Sequence, residues 1–172
     1  MAMELWVLSN RSLNSMAEWQ SAIDTAGFPL TLSDETPIER VSGFLPARLR
    51  GQQTGFECSQ WPTEEFIQGL PMIDLGQKWK YALALRWRAD FNELRAAWIA
   101  GSAYAQATDG IVFDGQEGKI RDGAEAQKTA RQEYDAPDPN VRSAVENTKM
   151  NDEGDNGEST GDARLTISVR VF

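Results

Sequence analysis

The sequence contains no histidine, and this absence removes several kinds of chemistry. Histidine is the commonest general base and zinc ligand, and it activates the nucleophile in Ser-His and Cys-His pairs. The single cysteine, Cys58, lacks that partner and cannot form an intramolecular disulfide, which is typical of a reducing compartment. We interpret Cys58 as a small apolar residue of a strand, because free cysteine is among the most buried residue types.

Long apolar runs and clusters of basic residues are also scarce. A membrane helix needs roughly 20 consecutive apolar residues, and no stretch of this sequence approaches that length. Residues 1–6 show no basic segment followed by an apolar one, so we expect a cytoplasmic protein without a membrane partner. Phosphate binding needs clustered Lys and Arg, and the net charge is −9, so nucleic acid is a disfavoured partner.

Much of the negative charge lies near the C-terminal end. Residues 135–163 contain eight acidic residues, two basic ones and no aromatic ones. Such a segment cannot offset its ordering entropy, and we predict an acidic disordered linker there. Residues 164–172 alternate apolar and polar side chains, which predicts a strand. An unpaired strand is an aggregation hazard, so we expect it to pair with the sheet or with a second chain, and the oligomeric state stays open.

The remaining residues, 1–134, have the patterns of one α+β globular domain. Strands are predicted at 5–8, 28–32, 41–50, 56–61, 78–88 and 111–113, and helices at 16–26, from 62, 90–109 and 122–134. Ser15, Asp90 and Asp122 mark helix starts, each with a glutamate three residues later. Two β-α-β units and a hairpin, whose connection we place at 51–55, predict a mixed or antiparallel sheet with helices packed on one face. A ferredoxin-like arrangement with extra strands fits best.

The strand predicted at 78–88 carries the most distinctive charged set. Residues of one parity are apolar and predict a core face; they are Trp79, Tyr81, Leu83, Leu85 and Trp87. Residues of the other parity include four cations, namely Lys78, Lys80, Arg86 and Arg88. These four are predicted to line one sheet face as a binding platform for an acidic partner or for the acidic linker. The alternative is a solvated face whose long side chains lie over apolar surface.

Three acids around the predicted strand 111–113 are candidate site residues. Asp109, Asp114 and Glu117 could act as an acid–base pair, as in glycoside hydrolysis, or bind a hard cation. The alternative is structural, because Asp109-Gly110 and Asp114-Gly115 are typical turn sequences. We expect no metal and no cofactor.

Several short sequence segments together carry a resemblance to known proteins. They are Glu18-Trp19-Gln20, Gly27-Phe28-Pro29-Leu30, Ser42-Gly43-Phe44-Leu45-Pro46, Thr54-Gly55-Phe56-Glu57-Cys58, Trp79-Lys80-Tyr81-Ala82-Leu83 and the stretch 107–119. Together they resemble small, uncharacterised single-domain proteins of proteobacteria, over about residues 3–121. The stretch 107–119 is also similar to a phrase of small bacterial proteins associated with toxin–immunity systems. The resemblance implies no catalytic residue.

Two functions follow as expectations. The first is a non-catalytic protein-binding module, most concretely an immunity-type inhibitor that covers the active site or basic surface of a bacterial toxin. It rests on the scarcity of catalytic groups, the negative charge and the resemblance. The second is a carboxylate-dependent hydrolase or metal-dependent enzyme that uses Asp109, Asp114 and Glu117.

Overall fold

The computed structural model describes residues 3–68 and 73–138. These residues fold into a seven-stranded antiparallel sheet with four α-helices. In chain order the elements are β1 Met3–Ser9, α1 Met16–Thr25, β2 Leu30–Leu32, a 3-10 helix Ile38–Arg40, β3 Ser42–Leu49, β4 Gln52–Pro62, α2 Thr63–Gln68, β5 Tyr81–Trp87, α3 Phe91–Ala107, β6 Ile111–Asp114, β7 Lys119–Asp122 and α4 Gly123–Asp135. The strands lie in the order β2-β3-β4-β5-β1-β6-β7, and all neighbours are antiparallel. The predicted α+β class is confirmed.

The centre of the sheet has a ferredoxin-like strand order. The four central strands lie side by side in the order β6-β1-β5-β4. The connection from β1 to β4 passes over β5, and the connection from β5 to β6 passes over β1. β2 and β3 extend the β4 side of this centre. β7, which the sequence pattern did not predict, extends the β6 side. The three longer helices, α1, α3 and α4, pack on one face of the sheet.

The helices start where short polar side chains cap them. Ser15 Oγ accepts the N–H of Glu18 at 3.1 Å at the start of α1. Asp90 accepts the N–H of Glu93 at 3.0 Å before α3, and Asp122 accepts the amide three residues later at 2.8 Å before α4. Each bond satisfies an amide that has no partner within its helix. These three predicted starts are confirmed.

The central strands are buried on both faces, which gives the protein two apolar clusters. The larger cluster lies between the sheet and α1, α3 and α4, and includes Leu5, Val7 and Leu85. The smaller one lies on the opposite face under α2. Its buried members are Trp6, Leu8, Phe66, Trp79, Ala82, Ala84 and Phe113. The residues of β1 alternate between the two clusters, as the pleat of a strand requires.

β5 differs from the predicted strand at both ends and on one face. Its hydrogen-bonded register begins at Tyr81, which is opposite Ser9 of β1 and Pro62 of β4, so Trp79 precedes the strand. Trp79 packs in the smaller cluster, and Tyr81 is exposed, so their predicted place in the core face is wrong. The other face is not a solvated one, because Ala82 and Ala84 leave room for aromatic rings above them.

The β3–β4 hairpin turns at Arg50 and Gly51 and not over the predicted connection 51–55. Both turn residues have positive φ, 52° and 79°, as a two-residue type I′ turn requires. This conformation is unfavourable for arginine. The Arg50 guanidinium stabilises it by donating to Tyr134 Oη at 2.8 Å and lying 4.0 Å from the Tyr134 ring centroid.

Two further arginines attach α4 to the rest of the fold. Arg95 of α3 donates to the carbonyl oxygens of Glu133 at 3.1 Å and Ala136 at 2.7 Å, near the C-terminal end of α4. Arg131 of α4 donates to the carbonyl oxygens of Ala26 and Gly27 at 3.2 Å, just after α1. Together with Arg50, they connect α4 to α3, to the end of α1 and to the hairpin turn.

No helix within 3–68 and 73–138 is long and apolar enough to cross a bilayer. The predicted linker 135–163, beyond residue 138, and the predicted strand 164–172 lie outside the described residues. Both stay predictions.

Candidate functional site

Of the four predicted cations, one lies within β5 and three flank it. Lys78 and Lys80 precede β5 and Arg88 follows it, so Arg86 is the one of the four that lies on the strand. The other three are exposed. β5 is therefore shorter than its sequence pattern, and the predicted platform of four cations stays a prediction. A binding role for the individual cations stays a prediction.

Arg86 lies between two tryptophans and a glutamate on the face that α2 partly covers. Its Nε donates to Glu4 Oε2 at 2.8 Å. Its guanidinium carbon lies 5.7 Å from the ring centroid of Trp6 and 5.6 Å from that of Trp61. A cation within about 6 Å of a tryptophan face is attracted by the ring. The ion pair and the two rings together hold the guanidinium in place.

Arg86 is part of an open pocket of about 300 Å³, which we call the aromatic pocket. It is lined by Trp6, Trp61, Phe66, Phe113, Glu4, Glu65 and Arg86. The ring centroids of Trp6 and Phe66 are 4.6 Å apart, and those of Phe66 and Phe113 are 5.9 Å apart. Trp61 meets Trp6 edge to face at 6.1 Å. Edge-to-face contacts, such as those of Phe66 with Phe113 and of Trp61 with Trp6, are a favourable arrangement of aromatic rings.

Large apolar side chains are exposed around the aromatic pocket. Trp61 is 39% exposed, and Ile67, which follows Phe66 on α2, is also 39% exposed. Ile120 of β7 is opposite Phe113 in the β6–β7 register and is 37% exposed. Residues directly opposite in an antiparallel pair project from the same face. The pocket rings therefore have exposed apolar neighbours in α2 and in β7.

A charged row crosses the sheet at one side of the aromatic pocket. In the strand register, Glu57 of β4 is opposite Arg86 of β5, which is opposite Glu4 of β1. Glu57 is exposed. Glu65 of α2 lines the pocket from a different element. Three carboxylates and one guanidinium thus surround the aromatic rings, and the local charge balance is −2.

A larger depression of about 580 Å³ lies over the β2–β3 edge, where Phe44, Pro46 and Arg48 line it. Its other lining residues are mainly short or polar, and it contains no cluster of rings. Binding energy at protein surfaces is concentrated on aromatic and arginine side chains in packed pockets. We therefore take the smaller aromatic pocket as the candidate site.

The three candidate acids do not converge. Asp109 follows α3 and Asp114 ends β6, so the extended strand Ile111–Asp114 separates them. Asp114 is buried and accepts from Arg121 Nη1 at 3.3 Å, and Glu117 accepts from Arg121 Nη2 at 2.7 Å. The structure therefore brings together two of the three acids, around a cation. Within the described ranges, no three Asp, Glu or Cys side chains are placed to hold a metal ion.

Glu117 and Asp114 have structural roles in the β6–β7 turn. Hydrogen bonds from Lys119 and Arg121 lower the pKa of Glu117. Asp114 Oδ1 accepts the backbone N–H groups of Gln116 at 2.9 Å and Glu117 at 3.3 Å, which is the turn geometry expected of an Asp-Gly sequence. Both carboxylates therefore already have hydrogen-bond partners in the β6–β7 turn and in β7.

Replacing Arg121 by Met should destabilise the protein by about 2–4 kcal/mol, because the buried Asp114 carboxylate would lose its cation. Lys119→Met is the matched control. The Lys119 side chain is 64% exposed and pairs with Glu117 at the surface, so this change should cost less than about 0.5 kcal/mol. Urea unfolding followed by circular dichroism measures both. Equal losses in the free energy of unfolding for the two variants would contradict a stabilising buried ion pair between Arg121 and Asp114.

The pocket residues Trp6, Trp61, Phe66 and Phe113 were not singled out from the sequence. One signal was available: Leu5, Trp6, Val7 and Leu8 are four consecutive apolar residues. A strand buried on one face alternates apolar and polar residues, whereas a continuous apolar run is typical of a strand buried on both faces. That run indicates a second apolar surface, although it does not identify the other members.

A comparison of the chain with protein-family models, with curated proteins and with solved structures found no match.

Proposed function

We propose that the protein is a non-catalytic protein-binding module and that the aromatic pocket with its apolar rim is the binding surface. One observation carries the proposal: on the side of the sheet away from α1, α3 and α4, Trp61 is exposed beside the pocket rings. Ile67 and Ile120, the neighbours of Phe66 in α2 and of Phe113 in the strand register, are exposed as well. Exposed apolar surface that surrounds a pocket is a common mark of an interaction site.

The composition of the aromatic pocket favours recognition of a protein. Tryptophan, tyrosine and arginine are the residues most enriched among those that carry binding energy at protein interfaces. Trp61 and Arg86 are such residues here, and both already have fixed partners. Trp61 Nε1 donates to Ser59 Oγ at 2.9 Å, and Arg86 pairs with Glu4. Side chains that are held before binding lose little conformational entropy when a partner arrives.

The concrete form of this proposal is an immunity-type inhibitor of a bacterial toxin. Two features of the sequence favour it: the net charge of −9 and the similarity of the stretch 107–119 to proteins of toxin–immunity systems. An acidic inhibitor associates quickly with a basic target because their charges attract over long distances. The alternative of a carboxylate-dependent enzyme gains no such argument, because Asp109 lies apart from Asp114 and Glu117.

Co-purification from the source organism, with the neighbouring gene product monitored, tests the proposal. Trp61→Ala should reduce recovery of the bound protein at least tenfold, in line with a loss of about 2 kcal/mol at a central interface residue. Phe91→Ala is the matched control. It removes a similarly exposed ring at the start of α3 and should leave recovery unchanged. A bound protein that is recovered equally well with Trp61→Ala would refute the proposed surface.

A further inference from the structure

The geometry points to a partner of defined chemistry: a basic protein segment that inserts one large apolar side chain into the aromatic pocket and places a flanking Lys or Arg against Glu57 and Glu65. This inference rests on the proposed function and specifies what the pocket recognises. It is carried by the size of the pocket, by the order of its charges and by the two carboxylates that remain available.

The size of the pocket fits a single side chain. Its volume of about 300 Å³ is at the lower end of the range of about 300–1,000 Å³ for small-ligand pockets. Buried rings of Trp6, Phe66 and Phe113 line it, and Trp61 borders it. Such a cavity can cover one apolar side chain from a partner but not a whole folded element. Desolvation of that side chain and of Trp61 supplies the apolar part of the binding energy.

Among the described residues that line the aromatic pocket, the one cation is Arg86, and it already has a partner. Arg86 pairs with Glu4, and its guanidinium lies over Trp6 and Trp61. An acidic partner would have to compete with Glu4 for it and would meet the carboxylates of Glu57 and Glu65 as well. Like charges placed together across an interface are unfavourable, so this arrangement disfavours an acidic segment.

Two carboxylates at the site remain free to pair with a partner. Among residues 3–68 and 73–138, no salt bridge involves Glu57 or Glu65. Both are exposed, on β4 and α2 respectively. Glu57 is opposite the pocket residue Arg86 in the strand register, and Glu65 lines the pocket, so a cation next to an inserted apolar side chain could meet either one. Charge complementarity therefore selects a basic segment. A second copy of this chain is disfavoured, because each copy carries a net charge of −9.

A phage-displayed library of random twelve-residue peptides, selected on the immobilised full chain and counter-selected on Trp61→Ala, tests the inference. Enriched peptides should share a Leu, Met, Phe or Trp with Lys or Arg within two positions. In a synthetic version of an enriched peptide, replacing the shared apolar residue by Ala should weaken binding to the protein at least about tenfold. Enrichment of acidic peptides, or no enrichment that depends on Trp61, would overturn it.

Charge variants of the full chain isolate the electrostatic part. Glu65→Lys should weaken binding of the synthetic basic peptide at least about fivefold and reduce its salt dependence. Asp24→Lys is the control, because Asp24 is also exposed but lies on α1, on the other side of the sheet. Equal effects of the two variants would show attraction by overall charge only and would overturn the site-specific inference.

The chain's own C-terminal segment is the competing occupant, since residues 164–172 also combine Arg with apolar residues. In the full chain, Arg164→Glu with Arg170→Glu should leave peptide affinity unchanged within about twofold. A several-fold rise in affinity would mean that this segment fills the pocket and would overturn the inference. The proposed function fails separately, if Trp61→Ala leaves the co-purified protein bound.

Discussion

Replacing Trp19 by Ala should remove a large part of the protein's free energy of unfolding. Trp19 is fully buried, its Nε1 donates to Ala100 O at 2.9 Å, and its ring meets Tyr104 edge to face at 5.3 Å. Loss of a buried tryptophan costs about 3–5 kcal/mol, against a total stability of about 5–15 kcal/mol for a domain. We expect the melting temperature to fall by about 10–20 °C in a circular dichroism scan.

Trp61→Ala is the control for this stability experiment, since it removes the same side chain type from the surface. Trp61 is 39% exposed, and its contacts are with the smaller cluster. We expect less than half the destabilisation seen for Trp19→Ala. Similar losses for both variants would mean that α1 does not contribute the main core contact through Trp19. The same measurement also shows whether Trp61→Ala is folded well enough for the binding experiments.

Alkylation of Cys58 should be suppressed by at least about 1,000-fold in the native protein at pH 8. Burial raises the pKa of the Cys58 thiol from 9.0 to about 12, and the thiolate is the reactive form. At pH 8 about a tenth of an ordinary thiol with a pKa of 9.0 is ionised, but only about one part in ten thousand at a pKa of 12. Iodoacetamide labelling followed by mass spectrometry, with and without guanidinium chloride, measures the ratio.

The same pKa shift makes the stability of the protein depend on pH in a defined direction. Above about pH 9 the unfolded chain releases the Cys58 proton while the native chain keeps it. The unfolded state then binds fewer protons than the native state, so this contribution to stability is complete below pH 9 and is lost as the pH rises towards 12.

In the iodoacetamide experiment, labelling of the native protein at the rate of the unfolded one would contradict the buried position of Cys58.

Local signals in the sequence were sufficient for the helix starts and for the fold class. Ser15, Asp90 and Asp122 cap their helices through bonds to amides a few residues away, so all the information lies within one turn. The ends of β5 could not be found in this way. The apolar alternation continues back to Trp79, but β1 ends at Ser9 and β4 at Pro62, so no partner strand remains before Tyr81.

The candidate site depended on contacts that the sequence pattern does not contain. Trp6, Trp61, Phe66 and Phe113 come from four different elements, and only the strand register and the position of α2 bring them together. Arg86 was singled out for its charge, and the structure places it in the aromatic pocket by a contact with Glu4, 82 residues away in sequence. Charge alone predicted a candidate residue but not the aromatic surroundings that give it a role.

The attachment of α4 by Arg50, Arg95 and Arg131 has a mechanical consequence. Tension applied to the backbone after Ala136 would pass through the guanidinium of Arg95 into α3 and through Arg50 into the β3–β4 turn. Several hydrogen bonds would then share the load and would have to break together. The end of α4 should therefore resist separation from α3 and from the hairpin turn.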